Sequence, residues 1–204
     1  MIYELCYLVN SDATEAELAK VSQVISSSIK DFSGEIVLED NWGVKTLAQP
    51  TSSGKTRANF QYLIFKTENA DLNKEILRRL KISDHVMKYG VFGLGEDSQA
   101  GEILKKFKSP FSKKYNGSIT DVEDEDGEGN KRFSRGKDCW FTARQLKSDW
   151  KDPQTYSWLV NEFGKILPAR VSGVSRKHQR YVTTAIKRAR NLGVLSHISN
   201  KTLE

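Results

Sequence analysis

Between Arg176 and Leu192 the chain can form a helix with only one side fit for burial. On a wheel of about 100° per residue centred on Val182, the residues Ala185, Ile186, Ala189 and Leu192 lie within about 80° of it. Arg176, Lys177, Arg180, Lys187, Arg188 and Arg190 lie between about 80° and 240° on the same wheel. No Asp or Glu occurs from Gly164 to Leu192, so none of these cations has an acidic partner one turn away on the helix. Arg176 and Arg180 repel at the i,i+4 spacing, Lys177 and Arg180 at i,i+3, and cations in the first turn oppose the helix dipole. A charge run is ordinarily a solvated face of mixed sign. A face of a single sign that accepts these costs points to a polyanion, and the opposite stripe points to protein.

The flanks of the helix agree. Gly164 to Arg170 (GKILPAR) adds Lys165 and Arg170 on a segment stiffened by Pro168. Ser172 to Ser175 reads as a turn ending in an N-cap at Ser175, and Gly193 suits the first position past the helix. Charge is unevenly spread along the chain, whose net is +6. Residues 1–95 sum to −1, residues 96–130 to −4 and residues 131–204 to +11. This predicts a nearly neutral first domain over 1–95, an acidic flexible linker over 96–130 and a basic domain over 131–204. Only the last has the electrostatic footprint of a nucleic-acid binder.

The first domain reads in order as a strand (Ile2–Val9), an amphipathic helix (Glu15–Phe32), a strand bulged near Gly43 (Glu35–Leu47), a strand (Arg57–Phe65), a short helix (Asn73–Leu80) and a strand (Val86–Leu94). That βαββαβ order predicts a ferredoxin-like domain, and with the helical basic domain an α+β chain. The linker is poor in apolar residues, with a short helix expected at Ile103–Phe107. As a coil of about 35 residues it reaches roughly 30–35 Å. Its acidic run, Asp121 to Glu128, fails as an EF-hand loop. Counting back from Gly127 puts Val122 at the first ligand position, and Phe133 falls at the last. In the basic domain, Lys131, Arg132, Arg135 and Lys137 form an arm. Tyr156–Phe163 predicts a short helix packed on Val182 and Ile186, with Trp158 and Phe163 in the core, and Ser196–Glu204 reads as a loose tail.

Catalytic constellations are not visible. His85, His178 and His197 lie in unrelated segments, no nucleophile elbow or Walker loop occurs, and the glycines of Gly90–Gly95 close a strand instead of opening a helix. An acylphosphatase-like use of the first domain needs an Arg and an Asn poised on a loop, and nothing marks such a pair. No apolar run approaches the ~18 residues that cross a bilayer, and no signal or transit peptide is visible. Two cysteines, Cys6 and Cys139, make no disulfide framework, which suits a reducing cytoplasm.

The run from Gly164 to Leu195, GKILPARVSGVSRKHQRYVTTAIKRARNLGVL, resembles the signature of small-subunit ribosomal protein eighteen of the bacterial type. That pattern is G-K-I-L-P-x-R, then T-G, K-x-Q-R and A-I-K-R-A-R-x-L, and Ser172 stands where Thr is usual. Trp42 to Pro50 (WGVKTLAQP) resembles the W-G-x-[KR]-x-L-A-Y-P segment of small-subunit ribosomal protein six, with Gln49 in place of Tyr. Leu80 to Lys88 is similar to the same family's L-R-I-x-D-x-V run, and this second resemblance covers about residues 1–93. The two families are binding partners that dock as a pair on the central domain of small-subunit rRNA. The resemblance therefore implies a natural or engineered fusion of the two, resident in the cytoplasmic ribosome. It further implies contact between the domains and with neighbouring small-subunit proteins, and neither membrane association nor catalysis.

The expected rRNA contacts are Lys165, Arg170, Arg176, Lys177, Arg180, Lys187, Arg188 and Arg190, the arm Lys131, Arg132, Arg135 and Lys137, and more weakly Lys45, Lys55 and Arg57. Which of them face RNA and which fill the domain interface stays open at this level. A freestanding RNA-binding regulator would use the same surface. Many relatives of the basic domain carry C-x-x-C where Cys139-Trp140-Phe141-Thr142 stands and a third Cys at Ser175, completing a zinc site with a His at the position of His178. Here Cys139 and His178 remain, two ligands where a structural zinc site needs four. A metal-free, cofactor-free domain is expected, with His178 as a packing residue and Ser175 as a cap.

Overall fold

The computed structural model describes residues 1–96, 139–144 and 146–203. The linker and basic arm read from the sequence, with the short helix at 103–107 and the acidic run, lie outside these residues. The first part contains β1 (Ile2–Asn10), α1 (Glu15–Asp31), β2 (Glu35–Thr46), β3 (Arg57–Lys66), α2 (Asp71–Ile82) and β4 (Val86–Gly95). The strands form an antiparallel sheet in the order β2-β3-β1-β4, so β1 is central and pairs with β3 and β4. This is the expected ferredoxin-like arrangement. The pairing of β2 with β3 shifts register between Asn41 and Gly43, where Gly43 takes φ 73°, so the bulge falls where it was anticipated. α1 starts in a capping box. Thr14 N–H donates to Glu17 Oε2 at 2.8 Å and Glu17 N–H to Thr14 Oγ1 at 3.4 Å.

Alternation along β1 sends side chains to two cores. Leu5, Tyr7 and Val9 join Leu63 and Phe65 under Val21, Ile25 and Ile29 of α1 and Leu72, Ile76 and Leu80 of α2. Ile2, Cys6 and Leu8 face the other way, with Trp42, Phe60, Tyr62 and Ile64. The C-terminal residues cover that second face. Trp150, Tyr156, Val182, Ile186, Ala189, Leu192 and Val194 belong to the same buried cluster. Burial on both faces explains why β1 reads as an almost unbroken apolar run instead of an alternating one.

One residue breaks that run. Glu4 is 1% exposed, on the face covered by the C-terminal part. Its carboxylate accepts from Trp150 Nε1 at 2.7 Å, Lys151 Nζ at 2.9 Å and the Tyr62 hydroxyl at 2.8 Å. Arg188 Nη1 stands 4.0 Å away. Lys151 also reaches Asp149 Oδ2 at 3.0 Å. Burial alone would lower the Lys151 pKa, but the carboxylates of Glu4 and Asp149 outweigh it and raise it, so the ammonium stays charged. Burial, followed by the Glu4 charge and hydrogen bond, raises the Tyr62 pKa and keeps that phenol a donor. Trp42 stacks on Tyr62 at 4.8 Å and meets Trp150 at 5.9 Å, closing the site against water.

The C-terminal part contains α3 (Trp140–Ala143), two 3-10 turns (Pro153–Thr155 and Ser157–Leu159), α4 (Ala169–Ser172) and α5 (Arg176–Asn191). The helix expected over 156–163 does not form. Asp152 caps the first 3-10 turn at Gln154 N, and the Tyr156 hydroxyl is drawn inward to donate to Trp150 O at 2.9 Å. Val160 then pairs with Ile166 in an antiparallel bridge. The Asn161 side chain accepts from Phe163 N and Lys165 N, a local alternative to helical bonding. Leu159 and Val160 are buried, but Phe163, expected in the core, is 75% exposed at the tip of this turn, and Trp158 is half-buried.

The tail is not loose. Leu195 bridges Thr202, Leu203 N–H donates to Val194 O at 2.9 Å, and Leu203 packs on the core. Gly164, at φ 73°, is pressed against this return, and a Cβ there would stand 2.4 Å from His197 O.

Removing one partner of a buried pair costs about 3–5 kcal/mol because the other charge stays buried. Lys151→Met should therefore lower the stability of the full chain by about that much in urea denaturation. Glu4→Gln combined with Lys151→Met should recover a large part of the loss. Equal losses in the single and double variants would refute the pairing.

Candidate nucleic-acid interface

α5 is held at both ends as the sequence implied. Ser175 is its N-cap and accepts from His178 N at 3.4 Å. At the other end Gly193 takes φ 73°, with Gly193 N donating to Arg190 O at 3.1 Å and Val194 N to Ala189 O at 2.8 Å. This is a Schellman ending. Val182, Ala185, Ile186 and Ala189 are buried, while Arg176, Lys177, Arg180 and Lys187 are exposed on the opposite side, with Lys165 and Arg170 exposed on the approach. No acidic side chain among the described residues forms an ion pair with any of these six.

Two cations of the expected set are turned inward. Arg188 lies over the Phe92 ring at 4.5 Å and beside Glu4, which places it between α5 and β4. Arg190 Nη2 donates to Gly164 O, fastening α5 to the turn that carries Phe163. Burial lowers the Arg190 pKa, yet a guanidinium stays charged at neutral pH. In the first part, Lys55 pairs with Asp12, Lys45 is half-buried and Arg57 is exposed. The hairpin carrying them meets the end of α5 through Ala48 N, which donates to Gly193 O at 3.0 Å. Lys131, Arg132, Arg135 and Lys137 lie outside the described residues.

Several residues that organise this surface escaped the sequence reading. Glu4, Trp150 and Lys151 carried no pattern, because a lone carboxylate in a strand and a lone Lys in a loop are ordinary. In the sequence Gln49 is only a departure from a family pattern. Its side-chain oxygen accepts from His197 N at 3.1 Å, tying the loop after β2 to the tail.

Cys139 and His178 are brought together. Cys139 Sγ stands 3.4 Å from His178 Nδ1, and Ser175 Oγ stands 3.0 Å from the same nitrogen. His178 packs on Phe141 with ring centroids 5.5 Å apart. Among the described residues no third His, Cys, Asp or Glu joins them, so the donor set falls short of the four ligands of structural zinc. Burial pushes the Cys139 thiol up, but hydrogen bonds from Ser175, Thr142 and Phe141 outweigh it and bring it down to about 6. Cys6, buried beside Glu4, is raised well above the usual thiol value.

The family model described as Ribosomal protein S18 matches residues 144–195, and that described as Ribosomal protein S6 matches residues 2–92. Small ribosomal subunit protein bS18 of Geotalea uraniireducens is 52% identical over 64 residues, covering 31% of this chain and 70% of that protein. The bS18 protein of Treponema denticola is 40% identical over 79 residues, covering 39% and 89% respectively. Among solved structures, 30S ribosomal protein S6 from Thermotoga maritima superposes with a TM-score of 0.45 at 13% identity, over 52% of this chain and 97% of that one.

A thiol whose pKa is lowered on folding adds stability above the unfolded value of about 8.5 and loses it as pH falls through the folded one. Stability should therefore rise between pH of about 6 and about 8.5, and Cys139→Ser should abolish that rise. Ultraviolet thiolate absorbance of a Cys6→Ser chain should titrate with a midpoint near 6. A midpoint in the ordinary thiol range would refute the assignment.

Proposed function

The chain belongs to the ribosomal protein S18 family through its C-terminal part and to the ribosomal protein S6 family through its N-terminal part, and on that premise we propose that it is a structural constituent of the small ribosomal subunit in which both parts act as one rRNA-binding unit. The observation that carries the reading is the outer side of α5, where Arg176, Lys177, Arg180 and Lys187 are exposed while the inner side is buried. A helical row of cations that no acidic side chain among the described residues pairs with fits the phosphates of a folded RNA. The role is structural and not catalytic, in keeping with both families.

The finer assignment follows the same reading. Residues 1–95 form the protein platform, 131–204 the rRNA-binding domain and 96–130 the linker between them, and the target is the central domain of small-subunit rRNA. Lys165 and Arg170 extend the phosphate track. Arg188 and Arg190 serve the protein interior more than the RNA. The contacts centred on Glu4 hold the two parts as a pair, and their preservation in the assembled subunit is part of the proposal. Neighbouring small-subunit proteins are the remaining partners, in the cytoplasmic ribosome. Among the described residues no helix is long and apolar enough to cross a membrane.

Sedimentation of tagged chain through a sucrose gradient after a high-salt wash tests residence. Stoichiometric, full-length chain in the small-subunit peak is expected, and chain confined to light fractions would overturn the assignment in favour of a freestanding regulator. Neutralising Arg180 and Lys187 together should weaken rRNA binding and flatten its log–log salt dependence by about 1.5. An unchanged slope would remove this face from the RNA interface.

A further inference from the structure

A file of rings runs from the core of the C-terminal part to the charged side of α5. Trp158 stacks on Phe141 with centroids 6.3 Å and planes 25° apart, and Phe141 stacks on His178 at 5.5 Å and 24°. His178 meets Tyr181 at 6.4 Å and 52°. Phe141 is fully buried, whereas Tyr181 is 41% exposed. On the helix Tyr181 lies one turn after Lys177 and next to Arg180, both exposed. The file therefore ends in an open aromatic surface at the edge of the cationic side, backed by a ring that is itself held from behind.

Two kinds of partner could cover such a ring, and area decides between them. A fully buried aromatic side chain contributes about 150–250 Å², so the exposed part of Tyr181 amounts to on the order of 100 Å². One side of a stable protein–protein interface buries about 800 Å², and lysine is depleted from such interfaces. A single nucleobase with its phosphates matches both the size and the charge. In a duplex the base faces are already stacked, whereas loops and bulges leave them free. We infer that Tyr181 is a stacking residue for one unpaired RNA base, with Lys177 and Arg180 holding the adjoining phosphates. The inference rests on the RNA-binding reading above and adds a preference for looped over continuous duplex RNA.

The test compares the full chain with its Tyr181→Leu and Tyr181→Phe variants on two RNAs of equal phosphate number, a stem–loop with an unpaired purine loop and a continuous duplex. Fluorescence anisotropy reads the affinities at several salt concentrations. Tyr181→Leu should weaken stem–loop binding by about 5- to 150-fold, the range for loss of one base–aromatic stack. It should leave duplex affinity and the salt slope unchanged, and Tyr181→Phe should bind as the native chain does. The phenylalanine variant separates loss of the ring from a folding defect, which circular dichroism also monitors. Equal losses on both RNAs, or stem–loop binding unchanged in Tyr181→Leu, would overturn the stacking role alone. A native chain that binds neither RNA would overturn the proposed function with it.

Discussion

A carboxylate buried at 1% exposure in the central strand of a sheet is tolerable only if both its oxygens accept hydrogen bonds and its charge is paired. Glu4 meets this condition through Tyr62 of the neighbouring strand and through Trp150 and Lys151, which lie more than 140 residues away in the chain. The sheet face carrying Glu4 is therefore complete only when the C-terminal part lies on it. The S6-like part supplies the acceptor and the S18-like part supplies two of the donors. A hydrophobic face alone could accept a partner in several orientations. A buried charge with directed hydrogen bonds accepts far fewer, because each misplacement leaves a polar group unsatisfied in a dry interior.

That registration decides what α5 can do. With Val182, Ile186 and Ala189 turned to the sheet, the remaining arc of the helix faces outward. The arc does not act as one surface. Arg188, at its edge, reaches back to Phe92 and Glu4, and Arg190 reaches back to the carbonyl of Gly164. The cations nearest the middle of the arc, Arg176, Lys177, Arg180 and Lys187, stay exposed. A guanidinium suits the boundary positions because it can lie flat on a ring while still donating hydrogen bonds. The same helix thus serves cohesion at its margins and polyanion recognition at its centre. Its two caps, Ser175 and Gly193, lie at places where the chain also touches His178 and Ala48.

Local signals made much of this legible beforehand. The period of α1 and α5, the apolar run of β1, the bulge at Gly43 and both caps of α5 depend on neighbours within a few residues, and such patterns survive in a bare sequence. The segment from Pro153 to Phe163 shows the opposite case. Its apolar spacing resembles a helix, yet Asp152 and Asn161 bind nearby backbone, Tyr156 turns inward to Trp150, and Phe163 is left at a turn tip. The tail misled for a related reason. Ser196 to Asn200 carries no periodicity, and its order comes from hydrogen bonds to Gln49 and from the close approach of Gly164, both distant in the chain.

Composition and spacing alone carried the elements of the first part and α5, the sign of charge on each side of that helix and the kinship of both halves. Tertiary structure alone decided which cations remain available, that Gln49 and the tail belong together, and that Tyr181 ends a file of rings. It also turned Glu4 from an oddity in an apolar strand into the junction of the molecule. Those outcomes depend on which groups lose their water together, and that follows from the packing of segments far apart in the chain.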